Sequence, residues 1–195
     1  MLYTFLKIFG SIFSAVFFRL QVTGIENIPA RGGFILAPNH RSYLDPPLVA
    51  FKVPRKIYFV SKTTLYRKRI FLPLLNGLHA IPLRQQSGAV GLKSAISSLK
   101  KGLPVVIFPE GTRNRTRRKF LAGTKGISLL AEAADVPVIP VYISGAARAL
   151  PYGAIMFRPR AIAIAYGKPL TFDGNSDLFA EKVMSEIIRL SETNG

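Results

Sequence analysis

Short apolar segments that resemble strands alternate along this chain with longer segments that resemble helices. The strand candidates, which are β-branched or aromatic runs bounded by Gly and Pro, are 20–23, 33–37, 56–60, 80–83, 105–108, 138–143 and 160–166. Helical patterns occupy 46–51, 64–75, 88–101, 124–134 and 177–191. This alternation predicts an α/β fold with a largely parallel or mixed central sheet flanked by helices, in which ligands gather beyond the carboxyl ends of the strands. The length of 195 residues favours a single domain.

The first 20 residues are almost wholly apolar, but Lys7 and Arg19 interrupt them. The uncharged run 8–18 is shorter than the roughly 20 residues that a helix needs to cross a bilayer. We therefore predict a membrane-interfacial helix over 1–20, whose apolar side chains enter the acyl boundary, and one further domain over 21–195. A helix packed on the core of that domain is the alternative that this pattern leaves open.

The charge of the chain favours polyanionic partners. Lys and Arg number 27 against 10 Asp and Glu, which gives a formal net charge of +17. Such a surface attracts either the anionic headgroups of a membrane or the phosphates of a nucleic acid, and charge alone does not distinguish them. The sequence has no Cys, which excludes disulfides and thiolate nucleophiles, and with only two His and no carboxylate cluster no metal site is expected.

His40 and Asp45 follow the apolar strand segment 34–37. Pro46 suits the first turn of a helix, so we expect Asp45 at a helix entrance and His40 in the loop before it. An imidazole held by a carboxylate is a suitable general base near neutral pH. Spacing alone is also compatible with a purely structural histidine.

A second polar segment follows the buried strand segment 105–107. Here Gly111 allows close approach of the backbone to a ligand, Thr112 offers a hydroxyl, and Arg113 offers a planar fork for phosphate oxygens. Together they resemble a cradle for an anion. Glu110 is predicted to orient a neighbouring cation or an acceptor hydroxyl, although a surface ion pair is an equally simple interpretation.

These two segments resemble the glycerolipid acyltransferase family. The resemblance rests on His40 and Asp45 separated by four residues, followed by Phe-Pro-Glu-Gly-Thr-Arg over 108–113. It extends over most of the chain, from the segment 22–29 to the strand 136–141. The resemblance implies that His40 and Asp45 are a catalytic dyad and that the acceptor-binding residues are Arg84, Glu110, Gly111, Thr112 and Arg113.

The resemblance also implies a reaction and a location. We expect transfer of a fatty acyl group from acyl-CoA or an acyl carrier protein thioester to the free sn-2 hydroxyl of 1-acyl-glycerol-3-phosphate, giving phosphatidic acid, without a cofactor. The expected partners are an anionic membrane surface, a lysophospholipid acceptor and the acyl carrier. The expected location is the cytoplasmic face of the cell inner membrane, with peripheral or monotopic attachment.

Two other functions remain open at this stage. Within the same family, the acceptor could be another lyso-lipid, such as lyso-ornithine lipid or another lysophospholipid, or glycerol 3-phosphate itself. In a different class, a basic nucleic-acid-binding domain would explain the charge, but not the spacing of His40 and Asp45, so no nucleic acid is expected.

Overall fold

The computed structural model describes residues 2–62, 80–83, 88–154 and 156–194. Within them the helices are α1 Leu2–Phe17, α2 Asp45–Lys52, α3 Gly88–Lys100, α4 Gly126–Ala134, α5 Ala146–Ala149 and α6 Ser176–Thr193, with a 3-10 turn at Ile25–Asn27. The strands are β1 Gln21–Thr23, β2 Ile35–Pro38, β3 Tyr58–Lys62, β4 Ala80–Leu83, β5 Val105–Val106, β6 Val138–Ser144 and β7 Ala163–Tyr166.

One sheet contains all the strands of this described part, in the order β1-β7-β6-β2-β5-β3-β4. Every neighbouring pair is parallel except β6 and β7, which run antiparallel. The predicted α/β fold with a mixed central sheet is therefore confirmed, and each predicted strand segment overlaps an observed strand. The predicted helix 64–75 lies outside the described residues, and the short helix α5 was not predicted.

Two apolar layers enclose the sheet, because successive side chains of a strand point to opposite faces. Along β2 and the residue before it, Phe34 and Leu36 pack in a layer with α2, α5 and the end of α1. Ile35 and Ala37 pack in the opposite layer with α3, α4 and α6. The continuous apolar run in the sequence is thus a strand that is buried on both faces, as is usual in parallel sheets.

Helix α1 contacts the domain through Gly10 and Ser14, which are buried, and through its carboxyl end. Phe17 and the following Phe18 pack against the core layer that contains α2. Among residues 7–17, whose side-chain exposure the structure describes, the exposed large apolar side chains are Ile8, Phe9, Ile12, Phe13 and Val16. No helix in the described part of the chain combines the length and the apolar character needed to cross a bilayer. The boundary at residue 20 stays a prediction.

The central strands bring the polar segments to one edge of the sheet. β2 lies between β5 and β6 and is parallel to both, so the three strands have their carboxyl ends at the same edge. Asn39, directly after β2, ties this edge together: its side-chain amide donates to the backbone oxygen of Ile143 in β6 (3.1 Å), and its side-chain oxygen accepts from the backbone N–H of Ile143 (2.7 Å). The loops that follow β2, β5 and β6 therefore meet.

Candidate active site

His40 and Asp45 meet at this edge, as the sequence predicts. His40 lies in the loop after β2 and Asp45 is the first residue of α2. The Nδ1 atom of His40 lies 2.9 Å from Oδ2 of Asp45. A carboxylate can only accept, so Nδ1 carries the proton and Nε2 presents its lone pair. This is the tautomer that a general base requires.

The carboxylate of Asp45 is itself held by the loop that it closes. Its Oδ2 atom accepts from the backbone N–H of Arg41 (2.7 Å) and of Ser42 (2.6 Å), in addition to the imidazole. The residue is only 1% exposed. Three donors converge on one buried oxygen, and this arrangement fixes the carboxylate before the imidazole acquires a charge. Ser42 has a structural task, because its hydroxyl donates to the backbone oxygen of Leu150 (3.2 Å).

Glu110 holds the histidine from the other side. One oxygen of Glu110 accepts from the backbone N–H of His40 (2.8 Å), and the other accepts from the backbone N–H of Leu121 (3.0 Å). The residue is 4% exposed, and this burial raises the pKa of its carboxyl group, against the opposing effect of the two backbone donors. Both oxygens are engaged within the protein, so this geometry favours a task in positioning His40 over the predicted contact with a cation or acceptor hydroxyl.

The backbone and ring of His40 have two further contacts with the loop after β5. The backbone oxygen of His40 accepts from the N–H of Asn114 at 2.7 Å. The imidazole stacks on the ring of Phe108, with centroids 3.9 Å apart and planes inclined by 21°. Phe108 belongs to the sequence motif, which indicates no role for it. Its stacking restrains the orientation of the imidazole.

Arg113 lies over aromatic rings, and it forms no ion pair with a carboxylate in the part of the chain that the structure describes. Its guanidinium carbon is 3.6 Å from the ring centroid of Tyr43 and 5.4 Å from that of Tyr152. Arg115 also lies over Tyr152, at 4.6 Å, and donates to its hydroxyl at 3.3 Å. Stacking of this kind holds a guanidinium in place and leaves its N–H groups available for phosphate oxygens. The sequence did not predict a role at the site for Tyr43 or Tyr152.

The remaining predicted acceptor residues differ in how the structure places them. Gly111 has a φ of +65°, a left-handed conformation that favours glycine, and it lies with the exposed Thr112 at the surface of the loop. Arg84 lies outside the described residues. Its predicted contact with phosphate stays a prediction.

A cavity of about 370 Å³ opens beside the dyad, between the loops after β2 and β6. Asn39 and Asp45 form part of its wall. Its cationic lining residues are Arg41, Lys119 and Arg148. The dyad is therefore bordered by positive charge on the β6 side, in addition to the arginines of the loop after β5, and this surrounding favours an anionic substrate.

Comparison with known proteins agrees with this geometry. The acyltransferase family model matches residues 19–144. A 1-acyl-sn-glycerol-3-phosphate acyltransferase from Bacillus subtilis is 28% identical over 153 residues, which cover 77% of this chain and 73% of the relative. A chloroplastic enzyme of the same name from Brassica napus is 26% identical over 186 residues, covering 93% of this chain but only 53% of the relative.

A solved structure also resembles this fold. The crystal structure of the 1-acyl-sn-glycerophosphate (LPA) acyltransferase PlsC from Thermotoga maritima superimposes with a TM-score of 0.82 at 29% identity. The match covers 98% of this chain and 78% of that protein. The residues that match the family model contain the dyad, the loop after β5 and strand β6. The chain belongs to the acyltransferase family.

Proposed function

We propose that this protein transfers a fatty acyl group from an acyl thioester to the free sn-2 hydroxyl of 1-acyl-glycerol-3-phosphate, giving phosphatidic acid. The observation that carries the proposal is the 2.9 Å contact between Nδ1 of His40 and Oδ2 of Asp45 at the carboxyl edge of the sheet. The names of the Bacillus and Thermotoga relatives support this acceptor.

The reaction needs one base and no protein nucleophile. The acceptor hydroxyl oxygen attacks the thioester carbonyl carbon while Nε2 of His40 takes the hydroxyl proton. The tetrahedral intermediate collapses, the carbon–sulfur bond breaks, and the imidazolium returns its proton to the leaving thiolate, so that an ester and a free thiol result. Asp45 stabilises the imidazolium between these two steps. Direct attack is the simplest scheme because the sequence has no cysteine.

The phosphate of the acceptor would bind to arginines around the dyad. Arg113 is suited to this because its guanidinium is stacked on Tyr43 and not neutralised by a carboxylate in the described structure. Arg84 is a second proposed ligand. Holding the phosphate near the dyad places the hydroxyl of the same small headgroup within reach of His40.

The acyl donor and the membrane are further parts of the proposal. The donor would be acyl-CoA or an acyl carrier protein thioester, used as a co-substrate and not as a resident cofactor. The protein would attach to the cytoplasmic face of the inner membrane, as a peripheral or monotopic protein, through the exposed apolar side chains of α1. The net charge of +17 favours such a surface when its lipids are anionic.

The direct test is an acyl-transfer assay on the purified protein in mixed micelles. Both carriers are crossed with lysophosphatidic acid, lyso-ornithine lipid and glycerol 3-phosphate, and the lipid products are separated. We expect phosphatidic acid as the main product, and its loss in a folded His40→Ala variant. Transfer only to one of the other acceptors, or turnover by folded His40→Ala near the wild-type rate, would contradict the proposal.

The phosphate contact has its own test with a matched control. Arg113→Gln should raise KM for lysophosphatidic acid about tenfold, since a hydrogen bond to a charged group contributes about 1.5–3 kcal/mol. It should not raise KM for a monoacylglycerol, which has no phosphate. Arg189→Gln is the control, because Arg189 lies in α6, which packs on the other face of the sheet from α2. This variant should leave the KM for both acceptors unchanged. Equal effects of Arg113→Gln on the two acceptors would exclude a phosphate contact.

A further inference from the structure

The segment between α5 and β7 exposes apolar side chains to an unusual degree. Met156 is 80% exposed, and the neighbouring Phe157 and Tyr152 are also exposed. Every residue from 156 to 161 is exposed. Large apolar side chains in such a run keep much of their surface in solvent, so the segment is a candidate for contact with something outside the protein.

This segment continues the apolar surface of α1. The ring of Phe157 lies 6.4 Å from that of Phe13 in α1 and 6.2 Å from that of Phe18, in edge-to-face arrangements. Two elements that are about 140 positions apart in the chain thus form one surface. We call it the apolar ridge and define it as Ile8, Phe9, Ile12, Phe13, Val16, Met156 and Phe157.

The same segment also contacts the loop after β5. The guanidinium groups of Arg113 and Arg115 both lie over the ring of Tyr152. Tyr152 contacts the proposed ligand of the acceptor phosphate and Phe157 belongs to the apolar ridge, so the two sites lie five positions apart in the chain. A surface that the apolar ridge occupies would lie next to Arg113.

Positive charge borders the apolar ridge at this end. The exposed arginines nearest in sequence to Phe157 are Arg158 and Arg160, and Arg115 lies over Tyr152. Apolar and aromatic side chains bordered by cations suit the boundary between acyl chains and anionic headgroups. Each cation near such a surface contributes about 1 kcal/mol of attraction.

We infer that residues 152–154 and 156–158 insert into an anionic phospholipid bilayer together with α1, as a second membrane contact. The inference rests on the proposed membrane attachment and extends it to a part of the chain that follows the catalytic motifs. Insertion brings Tyr152 to the headgroup level, and with it the guanidinium of Arg113. The acceptor phosphate then meets this guanidinium at the depth where lysolipid headgroups lie.

The sequence has no Trp, so a single introduced Trp reports its own surroundings. Three variants of the full chain are compared: Met156→Trp, Ile12→Trp in α1, and Leu178→Trp in α6. Leu178 is 60% exposed, and its helix α6 packs on the other face of the sheet from the end of α1, which makes it the control. On vesicles of phosphatidylglycerol and phosphatidylcholine, we expect a blue-shifted emission and quenching by brominated acyl chains for the first two variants, and neither for the third.

The outcomes separate this inference from the proposed function. If Ile12→Trp responds and Met156→Trp does not, the inference is overturned while attachment through α1 stands. If neither responds, membrane attachment fails as well, whereas acyl transfer in micelles tests the reaction separately. A response of Leu178→Trp equal to the others indicates unspecific adsorption and also overturns the inference.

A second measurement does not depend on introduced Trp. Met156→Ser should weaken partition onto the same vesicles about tenfold, because the variant has no apolar side chain at position 156 to bury in the acyl boundary of the bilayer. Leu178→Ser should leave partition unchanged. Equal partition of Met156→Ser and the wild type would contradict insertion of the segment.

Discussion

Replacing Asp45 by Asn tests the dyad most directly, because it nearly preserves the shape of the side chain while it removes the charge and replaces one acceptor oxygen by an NH2 group. The wild-type carboxylate oxygen lies 2.9 Å from Nδ1 of His40 and is almost fully buried. At an effective dielectric constant near 20, two unit charges about 4 Å apart attract each other by about 4 kcal/mol. This attraction exists only while the imidazole is charged, so its loss should appear in kcat.

The expected size of the effect is a fall in kcat of about a thousandfold, since each 1.36 kcal/mol in the barrier is a factor of ten. Release of the free thiol is followed with a chromogenic thiol reagent, and the protein gives no background because it has no Cys. Asp177→Asn removes an exposed carboxylate that pairs with Lys125 at 2.9 Å, and it should retain wild-type kcat.

Two results would refute this reasoning. One is a folded Asp45→Asn variant that keeps more than about a tenth of the wild-type kcat, which would mean that an imidazolium paired with this carboxylate does not form in the rate-limiting step. The other is a similar loss in Asp177→Asn, which would mean that the assay responds to net charge. Thermal unfolding of each variant establishes that the fold is intact.

Three further predictions concern stability. Burial raises the pKa of the Glu110 carboxyl group, so its contribution to the free energy of unfolding is fully present below the unfolded pKa and is lost as pH rises through the folded pKa. The Tm of the wild type relative to that of Glu110→Gln should therefore fall from pH 4 to pH 7. A constant difference between the two Tm values would contradict this. Gly24→Ala should lower the free energy of unfolding in urea by about 3 kcal/mol or more, because its methyl group would lie 2.0 Å from a backbone oxygen. Gly32→Ala, also at positive φ but in open space, should lower it by about 1 kcal/mol. Equal losses in the two variants would refute the clash. Asn39→Ala should cost about 3 kcal/mol, since both backbone groups of Ile143 lose a buried partner, and a loss below about 1 kcal/mol would show that water replaces the amide.

The strands and the dyad could be predicted because their signals are local. Each strand is a short β-branched or aromatic run bounded by Gly and Pro, and the strand that precedes His40 is buried on both faces. His40 and Asp45 are five positions apart, so one loop and one helix start are enough to bring them together. Helix α5 was missed because four residues are too few to show a helical period.

The contacts that support the dyad could not be predicted, because they join distant segments. Glu110 meets His40 across 70 positions, and Tyr152 meets Arg113 across a further loop. Their proximity depends on β2 lying between β5 and β6, and the alternation of strands and helices does not determine this order. Glu110 was predicted among cations because its neighbours in the sequence are basic, whereas its hydrogen-bond donors in the structure are two backbone N–H groups.

The two peptide groups of His40 have a consequence for substrate selection. Its N–H donates to Glu110 and its carbonyl oxygen accepts from the N–H of Asn114, so both ends of the residue are fastened to the loop that also carries Arg113. An acceptor of the wrong shape that displaces this loop will also move Nε2 of His40 away from the hydroxyl proton that it is proposed to take. We therefore expect discrimination between lipids to appear in turnover as much as in affinity, with poor acceptors binding well and reacting slowly.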